Sequence, residues 1–208
     1  MADRDYVPAA SLDLLLPLYD PLTRLIGFHR VLRQLLAQAT LAPHHDVLDI
    51  GCGTGTLAIM IKQLQPAIRV TGLDPDPLAL ARAARKARRA RVDVRFERGS
   101  ADALPHPDAS FDRVFSSMMF HHVRKEQKLN VLADVRRVLR PGGRLELVDF
   151  AGGTHNMLAQ ILHGRQASAS AGARLLQRLA EAGFTEARQT SARSSIAGAI
   201  AFYQARAG

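Results

Sequence analysis

The segment Val47-Leu-Asp-Ile-Gly-Cys-Gly-Thr-Gly-Thr56 constrains this chain more than any other. Val47, Leu48 and Ile50 make a short apolar run suited to a buried parallel strand. The run breaks into three glycines at alternate positions, Gly51, Gly53 and Gly55, and the apolar residues from Leu57 to Ile61 then read as a buried helix. Strand, glycine loop and helix form the unit that brings bare backbone against a nucleoside-type ligand. Glycine accepts positive φ and has no Cβ to block that approach.

Spacing decides which ligand. A dinucleotide loop runs G-x-G-x-x-G or G-x-G-x-x-A, its third small residue closing helix against strand. Counted from Gly51 that position holds Thr56, so the dinucleotide pattern fails. Alternate glycines preceded by Asp49 resemble instead motif I of the class I S-adenosylmethionine-dependent methyltransferases. Two more stretches carry the resemblance. Gly99-Ser-Ala-Asp102-Ala-Leu-Pro, continuing to Phe111-Asp112, is similar to the family's D-A-x-x-L-P and D-x-S-F-D segments between the third and fourth strands. Leu139 to Asp149 carries L-R-P-G-G-x-L-x-L-x-D in full. The three motifs stand in the family's order from Val47 to Phe150, and the small-molecule branch with the ubiquinone/menaquinone C-methyltransferases is the nearest likeness. Leu18 to Gly27 echoes a segment common in that branch.

The resemblance implies an α/β fold: a Rossmann-like, seven-stranded, mainly parallel sheet with helices on both faces and the last strand antiparallel. It implies one domain over 1–208, with an N-terminal helical cap at 1–40 and a cofactor-binding core at 41–150. Residues 151–208 would add a short lid, a helix and a strand pair. The cofactor it implies is S-adenosyl-L-methionine. Asp49 would face its methionine amino group, and Gly51, Cys52, Gly53 and Gly55 would bring backbone close. Asp74 with Pro75 would meet the ribose, and Ala101 with Asp102 the adenine, while Ser117 completes the set. The chemistry of the acids is sound by itself: a carboxylate at a strand tip can accept both ribose hydroxyls or an amino proton. Such a tip residue is expected to bury little.

Elements can be placed along the chain. Asp20 and Pro21 read as the start of a helix whose apolar positions continue to Ala39. Ile68 to Asp74 is a second strand, and Asp76-Pro77 starts another helix. Val92 to Phe96 and Arg113 to Ser117 read as the third and fourth strands. Lys125 to Arg140 is a helix that Pro-Gly-Gly ends, and Leu145 to Phe150 is the fifth strand. Ala151 to Ala171 reads as loop with one short helix. A helix from Ala173 to Ala182 and strands at Phe184–Arg193 and Ile196–Arg206 complete the chain.

The net charge of +9 on 208 residues permits an anionic partner without choosing one. Arg82, Arg85, Lys86, Arg88, Arg89 and Arg91 interleave with alanines and lack aromatic neighbours to stack on bases, so a solvated helix face is the reading preferred to nucleic acid. Peripheral contact with a membrane stays open. Cys52, the one cysteine, excludes an internal disulfide and a cysteine-clustered zinc site and reads as a space-filler. Neighbouring histidines such as His44-His45 cannot readily face one ion, so no metal is expected. The patch Leu12 to Leu18, broken by Asp13 and Pro17, is too short for a span, which favours a cytoplasmic protein.

Catalysis asks for alignment, a dry pocket and an electron-rich acceptor, because a sulfonium-bound methyl is already electrophilic. Where the acceptor must lose a proton, Tyr19, His121, His122 and His155 could take it, and an imidazole exchanges protons near neutral pH. Met118, Met119, Phe120, Met157 and Leu158 could line an apolar acceptor site, implying a small, hydrophobic or quinone-like acceptor. An RNA methyltransferase and a non-catalytic cofactor-binding protein are the alternatives.

Overall fold

The structure is a computed structural model that describes residues 27–151, 170–195 and 198–208. Seven strands form one sheet in the order β3-β2-β1-β4-β5-β7-β6. The chain divides into two compact units, Met1–Ala101 and Asp102–Gly208.

The first unit contains α1 (Phe28–Gln38), β1 (Asp46–Ile50), α2 (Thr56–Leu64), β2 (Arg69–Asp74), α3 (Pro77–Ala90) and β3 (Arg95–Arg98). Strand β2 pairs in parallel with both β1 and β3. Helix α1 buries Val31, Leu32, Leu35 and Leu36 as one stripe. Gly27 takes a left-handed φ of 80° at its start, so the helix does not run unbroken from Pro21 as the sequence suggested. The proposed cap at Asp20 lies outside the described residues. Helix α3 starts as expected, with Asp76 Oδ1 accepting from the Leu78 N–H at 2.8 Å and Pro77 in the first turn. Its buried face is the small-residue stripe Ala79, Ala83 and Ala87. Arg91 ends it in the left-handed region, and the Val92 N–H caps the Ala87 carbonyl at 3.1 Å. Val92 is spent on that cap, and β3 begins at Arg95 and not at Val92.

The second unit contains β4 (Phe111–Ser117), a 3-10 turn (Phe120–His122), α4 (Lys128–Val138), β5 (Leu139–Phe150), α5 (residues 170–181), β6 (Phe184–Ser195) and β7 (Gly198–Ala207). Strand β5 pairs in parallel with β4, and β7 is antiparallel to both β5 and β6. The expected mixed sheet with its antiparallel last strand is therefore present. Helix α4 is shorter than expected at both ends. Leu139 is already extended and pairs with Phe111, after which pairing jumps to Arg113 opposite Arg144. Pro141, Gly142 and Gly143 thus bulge within the ladder instead of preceding it, with Gly142 at φ 78°.

A buried polar line pins the register of the antiparallel strands. Glu146 is fully buried in β5 and accepts from Gln204 Nε2 at 2.8 Å, while Gln204 Oε1 accepts from Arg188 at 2.5 Å. A one-residue slip would leave that carboxylate without its donor. Among the described residues no helix is long and apolar enough to cross a membrane.

Candidate active site

In the first unit the glycine loop closes on the end of β2. The N–H groups of Gly51 and Cys52 both donate to the Leu73 carbonyl, at 2.8 and 3.1 Å, and the Gly53 N–H donates to Asp74 Oδ2 at 2.8 Å. Gly51, Gly53 and Gly55 all have positive φ, which explains their alternation. Gly55 is doubly constrained: a Cβ there would stand 2.8 Å from Ala83 Cβ and 2.9 Å from the Phe96 ring. Gly53 differs, since a Cβ would meet nothing within 4 Å, and bare backbone faces open space there. Cys52 is buried against Gly72, as a space-filler should be, and burial pushes its thiol up, out of the reactive range.

Two acids flank this loop. Asp49 is 1 % exposed, and its Oδ2 has no hydrogen-bond partner among the described residues. Burial, and then the charge of Asp74, push its carboxyl up to about 8. Such a group calls for a cation. The open backbone at Gly53 lies in the same loop and leaves room for a ligand to approach.

Asp74 is not the lightly buried tip the sequence suggested. It is 8 % exposed, and its Oδ1 accepts from the Asp76 N–H at 2.9 Å while Oδ2 holds Gly53. Burial raises its pKa, against the pull of those two N–H donors. A carboxylate has about four acceptor sites, so the two backbone bonds leave capacity for ribose hydroxyls. Pro75 follows it directly, and Ala101 closes the unit.

Lys86 departs from the solvated-face reading of α3. Its Nζ donates to Thr54 Oγ1 at 3.1 Å and to Thr56 Oγ1 at 2.8 Å, fastening the loop from behind. Thr56, the residue that breaks the dinucleotide pattern, is here a hydrogen-bond acceptor. Arg85, Arg88, Arg89 and Arg91 are exposed, as expected.

In the second unit the site forms where β4 ends. Met118 takes φ 53°, a strained conformation for a side chain of its size, and turns the chain into Phe120–His122. That turn packs on Asp149, near the end of β5. The His121 N–H donates to Asp149 Oδ2 at 2.7 Å, and His121 Nδ1 lies 2.6 Å from Asp149 Oδ1. A carboxylate only accepts, so Nδ1 carries a proton, and in the neutral ring Nε2 keeps the lone pair. The His121 ring also meets His122 at 4.0 Å and the edge of Phe150 at 5.1 Å. His121 is largely enclosed, whereas His122 is exposed. The two expected base candidates therefore part: His121 is oriented by a carboxylate and His122 stacks on it.

Lys128 secures the same turn, donating to the Phe120 carbonyl at 2.9 Å with its ammonium 4.6 Å from the Phe120 ring centroid. Burial lowers its pKa, while Asp149 pulls the other way. Phe120 is itself buried at 5 % and belongs to the core, not to an acceptor lining, while Met118 and Met119 are half-buried. Ser117 Oγ is enclosed and has no hydrogen-bond partner among the described residues. Tyr19, His155, Met157, Leu158 and most of the expected lid lie outside the described residues. Asp149 and Lys128 were missed as site residues. Asp149 was visible only as the last letter of the third motif, and nothing local marked Lys128.

Asp102 is exposed in the turn that opens the second unit. Aligned on Leu104-Pro105, the D-A-x-x-L-P pattern puts Ser100 at its acid position, so Asp102 stands two residues beyond it.

Residues 47–143 match the family described as "Methyltransferase domain". Over 137 residues the chain is 40% identical to a demethylmenaquinone methyltransferase of Thermus thermophilus, covering 64% of this chain and 61% of that one. It is 40% identical over 123 residues to the 27-O-demethylrifamycin SV methyltransferase of Amycolatopsis mediterranei, covering 58% and 44%. The chain thus spans less than two thirds of the length of these relatives. The crystal structure of a methyltransferase of Thermotoga maritima, described as a possible histamine N-methyltransferase, superposes with TM-score 0.71 at 18% identity, covering 94% of this chain and 97% of that one, and shares the fold. Residues 47–143 thus match a methyltransferase domain, and the three motifs and this sheet resemble those of the class I S-adenosylmethionine-dependent methyltransferases, the quinone methyltransferases among them.

Proposed function

We propose that this chain transfers a methyl group to a small, hydrophobic or quinone-like acceptor, with His121 as general base and Asp149 as the residue that orients it. The Asp149–His121 pair carries the proposal. A buried carboxylate that fixes the imidazole tautomer equips Nε2 to take a proton from an acceptor hydroxyl. S-adenosylmethionine, when bound, supplies the electrophilic methyl. Asp49 would pair with its ammonium, Gly51, Cys52, Gly53 and Gly55 would bring backbone to it, and Asp74 with Pro75 would take the ribose. Asp102 with Ala101 meets the adenine, and Ser117 offers its hydroxyl. His121 would accept the acceptor's proton, which leaves the attacking oxygen or ring carbon richer in electron density toward the methyl that the cofactor would supply.

The two relatives support the acceptor class, since a demethylmenaquinone methyltransferase and a demethylrifamycin methyltransferase are both named for small demethylated acceptors. We read the chain as a single catalytic domain. The exposed Arg85, Arg88, Arg89 and Arg91 of α3 suit peripheral contact with an anionic membrane, and cosedimentation with phosphatidylglycerol vesicles, lost at high salt, is the expected result.

The test is methyl transfer from labelled S-adenosylmethionine by the purified chain, offered demethylmenaquinone or total RNA. Label in the organic extract is expected. Label in RNA alone would overturn the acceptor class, and cofactor binding without transfer to either would mean a binding protein.

A further inference from the structure

We infer that Arg137 is the positioning residue for base recognition, acting with Asp134 through the loop that carries Asp102. The inference rests on the reading of Asp102 as the acceptor of the adenine amino proton.

Apart from Leu104, the loop from Asp102 to Ala109 is mostly exposed and contains two prolines, so little packing of its own holds it. Helix α4 supplies the hold. Arg137 Nη1 donates to the His106 carbonyl at 2.7 Å and to Asp108 Oδ1 at 2.8 Å, and Nη2 donates to the Leu104 carbonyl at 3.1 Å. Its Nε donates to Asp134 Oδ1 at 2.5 Å, and Asp134 Oδ2 accepts the Leu104 N–H at 2.8 Å. Both backbone groups of Leu104 are therefore held by one Arg–Asp pair, two residues after Asp102. The Leu104 side chain is buried at 5 % and anchors the same point from below. The loop's far end is tied by the Ala109 and Ser110 N–H groups, which donate to the Arg137 and Val138 carbonyls at 2.9 and 2.8 Å.

A planar guanidinium can serve four acceptors at fixed angles, and an ammonium cannot. Asp102 does not occupy the family's acid position, so its aim depends on the path of this loop. An arginine bound to two backbone carbonyls and two carboxylates is a means of setting that path. Asp134 and Asp108 also hold the guanidinium charge firmly, raising its pKa further.

The experiment compares S-adenosylhomocysteine with S-inosylhomocysteine, whose base has oxygen in place of the amino group, by calorimetry. The proteins are the parent, Arg137→Lys and Asp134→Ala, each with a thermal unfolding curve. The parent is expected to prefer the adenosyl ligand by about tenfold, the worth of one good hydrogen bond. In Arg137→Lys adenosyl affinity should fall by about that factor while inosyl affinity stays nearly constant, so the preference disappears. Equal losses for both ligands, or an unchanged ratio, would make Arg137 merely structural and overturn the inference. Should Arg137→Lys fail to fold, Asp134→Ala decides by the same ratio. A parent with no preference would instead overturn the Asp102 reading on which the inference stands.

Discussion

Two carboxylates, one in the first motif and one at the end of the third, have opposite fates. Asp49, in the first unit, is buried with Oδ2 lacking a partner among the described residues, and its carboxyl is pushed up to about 8. Asp149, in the second, is also buried but takes the N–H groups of His121 and Phe150 together with His121 Nδ1. Burial is alike, at 1 % and 5 % exposure, so the partners make the difference. A carboxylate left short of donors is ready for a cationic ligand, whereas one already satisfied serves to orient a neighbour.

The largest test of this contrast is at the dyad. Asp149→Asn should lower the methyl-transfer rate about 10²–10⁴-fold with little change in cofactor affinity, because the amide can present Nδ2–H and favour the wrong tautomer. His121→Ala should lose about as much, and the double variant little more, since the two act as one unit. Single-turnover rates with bound cofactor check this; three unchanged rates would leave Asp149 a purely structural cap.

On the other side of the comparison, Asp74→Ala should weaken S-adenosylhomocysteine by roughly 2–4 kcal/mol through loss of two charge-assisted bonds. It should also lower Tm, because Gly53 and Asp76 lose their acceptor. Calorimetry and thermal unfolding separate the two effects.

Third comes pH. Asp49 ionises near its ordinary value of 3.8 in the unfolded chain and at about 8 in the folded one, so between those values the native state holds the extra proton. This group's contribution to stability therefore falls as pH rises across that window. A cationic ligand needs the ionised form, so cofactor affinity should rise by about tenfold per pH unit up to about 8 and level off there. Asp49→Asn should flatten the profile. The smallest effect is expected of His122→Ala, within a few-fold of the parent rate, because its ring is exposed and stacks on His121 without taking the carboxylate.

Much of this was legible in the residues. Strand, glycine loop and helix followed from an apolar run, alternate glycines and a second apolar run, and the start of α3 from Asp76-Pro77. The errors fell where one local rule met a longer-range one. Pro141-Gly142-Gly143 reads as a stop, yet pairing of Leu139 with Phe111 continues the strand through it. Lys86 reads as one cation among six, and only the fold brings Thr54 and Thr56 to it.

The sequence alone determined which segments are strands, helices and tight turns, because periodicity, capping and the left-handed demand on glycine act within a few residues. It also marked Asp49, Asp74 and the histidine pair as groups able to do chemistry. Tertiary structure decided what each of them touches. Asp149 meets His121 across 28 positions of chain, and Asp49 loses its solvent only when β1 is packed. Desolvation and hydrogen-bond partners are properties of the surroundings in space, and no stretch of local sequence contains them.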